Sequence, residues 1–299
     1  MKIIKRESCI LEMSKDHEPV EKIKSGESII FECLDCYGNQ IIEEDQDMRE
    51  VDWSFNNPST GPLYIEGAEE GDIIKVEILD IIVEYQGVMT SRPGAGALKD
   101  KWDKLECSVI PIENNKALFN DKISIPLDPM IGVIGIAPKE ESIKNSTPDY
   151  HGGNMDCKRI TKGSTVYLKS NVDGGLLSMG DIHGVMGDGE VSISGLEMNG
   201  EIKVRVTVLK DYTIPTPSVL TEDLFMTIYS AETLDEAAVK ATDNMFEFLV
   251  NNLNVSRKEA GNLLSLIGNL RINQIVDPLM TARMELEKEI FNKYNYKFL

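Results

Sequence analysis

The run IIKVEILDIIVEY, residues 73–85, follows the turn signal Gly71-Asp72 and alternates apolar with charged side chains. Residues two apart on a strand face the same side, so this alternation predicts a half-buried β-strand. Outward from it the pattern repeats in shorter pieces. Residues 28–33 lead into a turn at Tyr37-Gly38-Asn39, and the apolar run 131–137 lies between Pro129 and Pro138. Residues 165–168, 189–193 and 201–209 read as three more strands. Many short strands cut by Gly, Pro, Asn and Asp predict a β-rich, sandwich- or barrel-like body over residues 1–212, with no βαβ alternation.

After Pro215-Thr216-Pro217 the character changes. Thr233-Leu234-Asp235-Glu236 and Ser256-Arg257-Lys258-Glu259 are capping-box patterns, each opening an amphipathic helix. Alternation returns over 270–276, and 280–286 fits a strand or the start of a last helix. Residues 213–299 therefore read as an α+β C-terminal unit.

The chain has 299 residues and a net charge of −19 from 50 acidic and 31 basic residues. That charge repels phosphate backbones and speaks against nucleic-acid binding. The acid is spread out, and its densest run, Glu43 to Asp47, reads as an exposed turn. No apolar run nears the roughly 20 residues that span a bilayer, and the first residues lack a signal-peptide core, so a cytoplasmic protein without membrane contact is expected. The odd, scattered set of five cysteines, including Cys33 and Cys36, reads as reduced thiols without a metal or redox role.

Chemistry concentrates in Gly180 to Glu190, which packs three carboxylates, one imidazole and four glycines into eleven residues. A second cluster runs from His151 through Gly152, Gly153 and Asn154 to Asp156. Two of the three histidines fall in these clusters. Asp181 and His183, two apart on a strand, can reach one ion, and Asp, Glu and His are the ligands of divalent metals. Asp35, Asp156 and His151 are the further candidate ligands; Asp35 could otherwise cap the turn at Gly38, and His151 could be a satisfied loop residue. Asp188-Gly189 could equally make a hairpin turn. Glu66, at a strand end, is the first candidate for general acid/base, and Glu190 the second. No serine-elbow, Walker or HExxH motif occurs, and Ser59 or Thr60 could be nucleophiles only beside a base.

Several motifs together resemble the acetamidase/formamidase family: Asn57-Pro58-Ser59-Thr60-Gly61-Pro62, Ile65-Glu66-Gly67-Ala68, Gly132 to Pro138, His151-Gly152-Gly153-Asn154-Met155-Asp156, Leu177 to His183, and Gly187-Asp188-Gly189-Glu190. The resemblance implies hydrolysis of a small linear amide to a carboxylate and ammonia. It also implies a β-rich fold, a homo-oligomer (dimer or tetramer), and a divalent metal, zinc before calcium. Met186 stands where the family often has Gln, which puts the site's polar contacts in question. Residues 91–98 match a glycine-rich loop of the family and are expected to form a mobile wall of the site. In the expected mechanism the ion acidifies a water that attacks the amide, and Glu66 or Glu190 protonates the leaving nitrogen. The rival readings are hydrolysis of another C–N bond on the same scaffold, and a binding protein stabilised by a structural ion.

Overall fold

In the computed structural model, which describes residues 1–44 and 46–299, two large sheets face each other. Asp45, inside the acidic run expected to be a turn, lies outside the described residues. One sheet has nine strands, ordered in space Lys2–Ile4, Ser28–Cys33, Gly200–Leu209, Ile73–Val83, Thr165–Lys169, Ser218–Leu220, Leu224–Ala231, Met280–Glu287 and Asn269–Gln274. The alternating run of residues 73–83 sits near its middle, paired with Gly200–Leu209 on one side and Thr165–Lys169 on the other. The second sheet is built around Ser59–Glu66, Gln86–Ser91, Met130–Gly135, Gly152–Asn154 and Leu177–His183.

Between the sheets lies the main core. Ile29, Phe31, Ile74, Val76, Ile202 and Val204 from the first meet Leu63, Ile131, Ile134, Leu177, Met179 and Ile182 from the second. Burying each such side chain is worth about 1.5–3 kcal/mol. The strand pattern thus feeds one apolar slab, as in a β-sandwich.

Two helices follow, as the capping signals predict. Thr233 accepts a hydrogen bond from the Glu236 N–H ahead of Leu234–Leu253, and Ser256 with Glu259 closes a full capping box on Arg257–Ile267. The first helix buries Ala241, Met245, Phe248 and Leu249 against Tyr167, Phe225, Leu286 and Phe291, forming a second core on the outer face of the nine-stranded sheet. Residues 280–287 resolve as a strand.

Two expectations change. The compositional break at 212/213 is not a break in the sheet: Ser218–Leu220 pairs with Thr165–Lys169, so the C-terminal strands extend the body's own sheet. Residues 189–193 form no strand. Two left-handed residues within four, Glu190 at φ 46° and Ile193 at φ 83°, turn the chain out of an extended path, and only Gly189 makes an isolated bridge, to Gln274.

Candidate active site

The site forms where the Leu177–His183 strand runs out between its neighbours. Met130 pairs with His183 on one side, and Glu197, on the short strand Glu197–Met198, pairs with His183 on the other. Ile182 points into the core while Asp181 and His183 turn to the opposite side together. Four residues here, Asn57, Asp156, Asp181 and Glu190, hold left-handed φ between 44° and 54°. Non-glycine residues take such values at a cost, and the surrounding packing must hold them there.

His183 is the centre. Its Nε2 lies 3.1 Å from Glu197 Oε2 and 3.5 Å from Asp181 Oδ1, and its Nδ1 lies 3.9 Å from Asp156 Oδ1. Two neighbouring groups, with no residue in common, each have donor atoms close enough to share an ion: Cys36 with Asp181 and Glu197, and Asp156 with His183 and Glu190. Asp277 joins from the C-terminal unit and lines the same cleft. Two glycines make the room. A Cβ on Gly132 would stand 2.6 Å from Asp156 Oδ1 and 2.7 Å from Asp181 Oδ2, and one on Gly195 would stand 2.7 Å from His183 Nδ1.

Electrostatics follow from crowding carboxylates out of water. Burial pushes Asp156 up to about 7, against the pull of His183 and with the push of Asp181. Burial likewise takes Glu197 up to about 8, with His183 opposing and Asp181 adding. Glu190 and Asp277 rise well above the carboxylate range through burial and then the charge of Asp156. For His183 burial acts downward, but the Glu197 and Asp181 carboxylates outweigh it and hold the imidazole well above its ordinary value.

The cluster floors a cleft of about 730 Å³. Asp181, Glu190, Glu197 and Asp277 face into it; Tyr37, Trp53, Ile193, Val276 and Pro278 form walls, and Arg92 and Lys144 stand among its lining residues. Asn57 donates to Asp181 Oδ2 at 3.0 Å, and Glu190 Oε1 accepts from the Gly195 N–H at 3.1 Å. The Glu190 loop is clamped from the C-terminal unit. Arg283, fully buried, donates to both oxygens of Asp188 at 2.9 and 3.0 Å, to Asn273 Oδ1 at 2.8 Å and to Glu285 at 2.7 Å. Asn273 in turn donates to the Met155 carbonyl and accepts from the Gly189 N–H.

Of the expected site residues, Asp156, Asp181, His183 and Glu190 come together here. Glu66 does not. It ends the Ser59–Glu66 strand whose first residue pairs with Gly180, so it lies roughly 20 Å along the strand from the cluster, and its side chain is exposed. The signal that suggested it, a carboxylate after a strand, carries no information on which end of the strand faces the cleft.

Asp35 is buried near Asp181 but belongs to neither ligand group. Its Oδ1 accepts from the N–H groups of Tyr37 and Asn39, closing the turn that presents Cys36 and Tyr37. Burial raises it to about 6, and those two hydrogen bonds hold it back. His151 also stands outside both groups. It is buried, its ring meets Tyr150 edge-on at 6.0 Å, and burial lowers it to about 4. Thr60 is committed to the Glu32 carbonyl and Ser59 is fully buried, so neither faces the cleft as a nucleophile. Asp188 pairs with Arg283 instead of turning a hairpin. Met186 lines a mainly apolar cavity with Met89, Ile110 and Leu196, which Glu190 also borders, and is absent from the lining of the cleft itself. Residues 91–98 do wall the site: Arg92 lines it, and the Ala97 N–H donates to the Val191 carbonyl.

Sequence reading missed Cys36, Glu197 and Asp277. Cys36 was discounted for want of a second cysteine pair, yet its partners are carboxylates. Glu197 carries no motif; its signal is only that it lies on the strand returning beside His183. Asp277 follows a strand that pairing alone brings across.

A strand-built cleft floored by a histidine within a ring of buried carboxylates defines the class of protein, and comparison with known proteins makes it particular. The chain belongs to the acetamidase/formamidase family, whose sequence pattern matches residues 12–147 and 139–293. It is similar to an acetamidase from Bacillus halodurans, with 47% identity and a TM-score of 0.97 over 98% of this chain and 100% of that one. A predicted acetamidase/formamidase from Thermoanaerobacter tengcongensis matches at 41% identity and the same TM-score, over 99% of each chain. A formamidase from Methylophilus methylotrophus is 30% identical over 254 residues, 64% of this chain. The chain spans 62% of that relative's length.

Proposed function

We propose that this protein hydrolyses the C–N bond of a linear amide to a carboxylate and ammonia at the His183 cluster, with a divalent cation bound there. One observation carries the reading: oxygens of Asp156, Asp181, Glu190 and Asp277 are shut off from solvent around His183 without a hydrogen-bond partner. Buried carboxylate oxygens without partners cost several kcal/mol each in gross terms, and a cation is the partner that removes that cost. Names of similar proteins, acetamidase and formamidase, agree with the reaction.

The donor set fits such an ion. Asp181, Glu197 and the Nε2 of His183 would hold it, with Cys36 alongside, because Asp181, Glu197 and Cys36 all face the cleft. Mixed nitrogen and oxygen donors suit zinc better than calcium. Asp156 Oδ1 stands 3.9 Å from the other ring nitrogen, where its charge favours the protonated imidazole. When bound, the ion supplies Lewis-acid polarisation of the amide carbonyl and makes water acidic enough to attack near neutral pH.

The remaining work falls to the chain. Glu190 has one oxygen fixed by the Gly195 N–H and the other, Oε2, without a partner at the cleft floor. Burial and the Asp156 charge favour its protonated form, and a cation in the cluster would oppose them; as a carboxylate it takes the proton the attacking water gives up and returns it to the amide nitrogen, which leaves as ammonia. Asn57 holds Asp181 in place through its 3.0 Å hydrogen bond. Tyr37, Ile193 and Val276 exclude bulk water around the reacting group.

The test is ammonia release from a panel of linear amides by protein of measured metal content, before and after chelation. Turnover that disappears with the metal and returns on zinc addition is the expected result. If chelation lowers the melting temperature but no amide is ever cleaved, the ion is structural and the proposal fails.

A further inference from the structure

We infer that the amide cleaved here carries a carboxylate at its far end, joined to the amide by an apolar spacer, as in a monoamide of a dicarboxylic acid. This rests on the amidase reading and names its substrate class. Size is the first observation. A cleft of about 730 Å³ falls in the range that encloses a drug-sized ligand. Formamide or acetamide would fill only a small part of it and leave the walls to water.

Charge is the second observation, and it points one way along the cleft. The floor is carboxylate, from Asp181, Glu190, Glu197 and Asp277, while Arg92 and Lys144 are exposed lining residues. Cations are scarce in a chain with 50 acidic and 31 basic residues. Most that approach a carboxylate elsewhere are paired with it, as Lys2, Lys139, Arg257 and Arg283 are. Among the described residues the side chains of Arg92 and Lys144 form no ion pair or hydrogen bond. Glu12 lies directly across from Lys144 in the strand pair Glu12–Met13 with Ile143–Lys144, and closes no ion pair with it. Glu12 therefore offsets one of the two positive charges and leaves Arg92 as the main anchor.

Position is the third. Arg92 begins a loop held to the segment that carries Glu190: the Ala97 N–H donates to Val191 O at 2.9 Å, and a Cβ on Gly96 would stand 2.6 Å from that oxygen. The guanidinium is thus set on the same piece of structure as the proton carrier. Its planar fork matches a carboxylate in two parallel hydrogen bonds. Between floor and rim the wall is apolar and aromatic: Tyr37 and Trp53, edge-on with centroids 6.0 Å apart, then Ile193, Val276 and Pro278. A carboxylate is repelled from the floor and held at the rim, so the uncharged amide is the end that reaches His183.

The experiment compares succinamic and glutaramic acids with their methyl esters and with butyramide, using metal-loaded protein and ammonia release. Each acid should exceed its own ester in kcat/KM by about tenfold or more, with the gap narrowing as salt rises. Arg92→Ala should remove most of that gap, chiefly through KM, and cost the acids several-fold more than butyramide; Arg92→Lys should restore part of it. Esters cleaved as well as acids, or an Arg92→Ala loss equal on both, would overturn the inference while leaving amide hydrolysis standing. If no amide at all is cleaved, the amidase reading fails, and calorimetric binding of the same pairs still decides the recognition: tighter binding of the acid supports it, equal binding ends it.

Discussion

At the scale of single residues, the site is decided by where side chains are forbidden as much as by where they act. Gly132 and Gly195 lie against Asp156, Asp181 and His183 at distances no Cβ could share. Gly132→Ala should cost about 1–3 kcal/mol of stability through overpacking, and lower metal content measured by elemental analysis. A variant that binds metal like the parent would show the cluster to be looser than its geometry. Glu190→Gln keeps the Gly195 hydrogen bond but cannot accept and return a proton, so kcat should fall by about 10²–10⁴ with the metal retained. Glu66→Gln, at an exposed strand end, should change ammonia release by less than about twofold, and a large loss there would reverse the two assignments.

Among elements, the notable dependence is of the Gly187–Gly189–Glu190 loop on strands that lie far along the chain. Arg283 and Asn273, from the Met280–Glu287 and Asn269–Gln274 strands, hold Asp188, Gly189 and the Met155 carbonyl. The α+β C-terminal unit is thus part of the site's frame. Arg283→Met removes the bidentate partner of Asp188 and the 2.7 Å partner of buried Glu285, leaving Lys158 at 3.8 Å from the first and Arg159 and Arg271 at 3.4 and 3.9 Å from the second; removing one partner of a buried ion pair costs up to about 3–5 kcal/mol. Denaturation should show that loss, and activity in the surviving folded fraction should fall with it. Full activity per folded molecule would mean the loop holds its shape unaided.

For the whole molecule, the carboxylate cluster links stability to pH and to metal. Asp156 and Glu197 bind protons at about 7 and about 8 in the folded chain, against 3.8 and 4.5 ordinarily, and His183 is also held above its ordinary value. In each case the folded state binds more protons than the unfolded one as pH rises past the ordinary value, so stability falls with rising pH. The melting temperature of metal-free protein should therefore drop steadily between about pH 5 and pH 8, while metal-loaded protein drops less, because a ligand that binds only the folded state stabilises it. Parallel curves for the two forms would place the ion away from these carboxylates. No helix among the described residues is long and apolar enough to cross a membrane.

Local chemistry was legible in the chain where a short segment carries its own constraint. The period of two in residues 73–85 requires a half-buried strand, Thr233 and Ser256 announce their helices, and Asp181-Ile182-His183 puts a carboxylate and an imidazole on one side of a strand. These follow from geometry within a few residues. What the chain could not announce is which distant ends meet. Glu66 and Glu190 look alike as carboxylates beside turns, yet strand direction places one at the exposed end and the other at the floor. Glu197, Cys36 and Asp277 enter the site only because strand pairing and the reach of the C-terminal strands bring them there. Sheet register is a property of long-range hydrogen bonding, and a one-residue shift would turn Glu197 to the other face. Folding alone settles it.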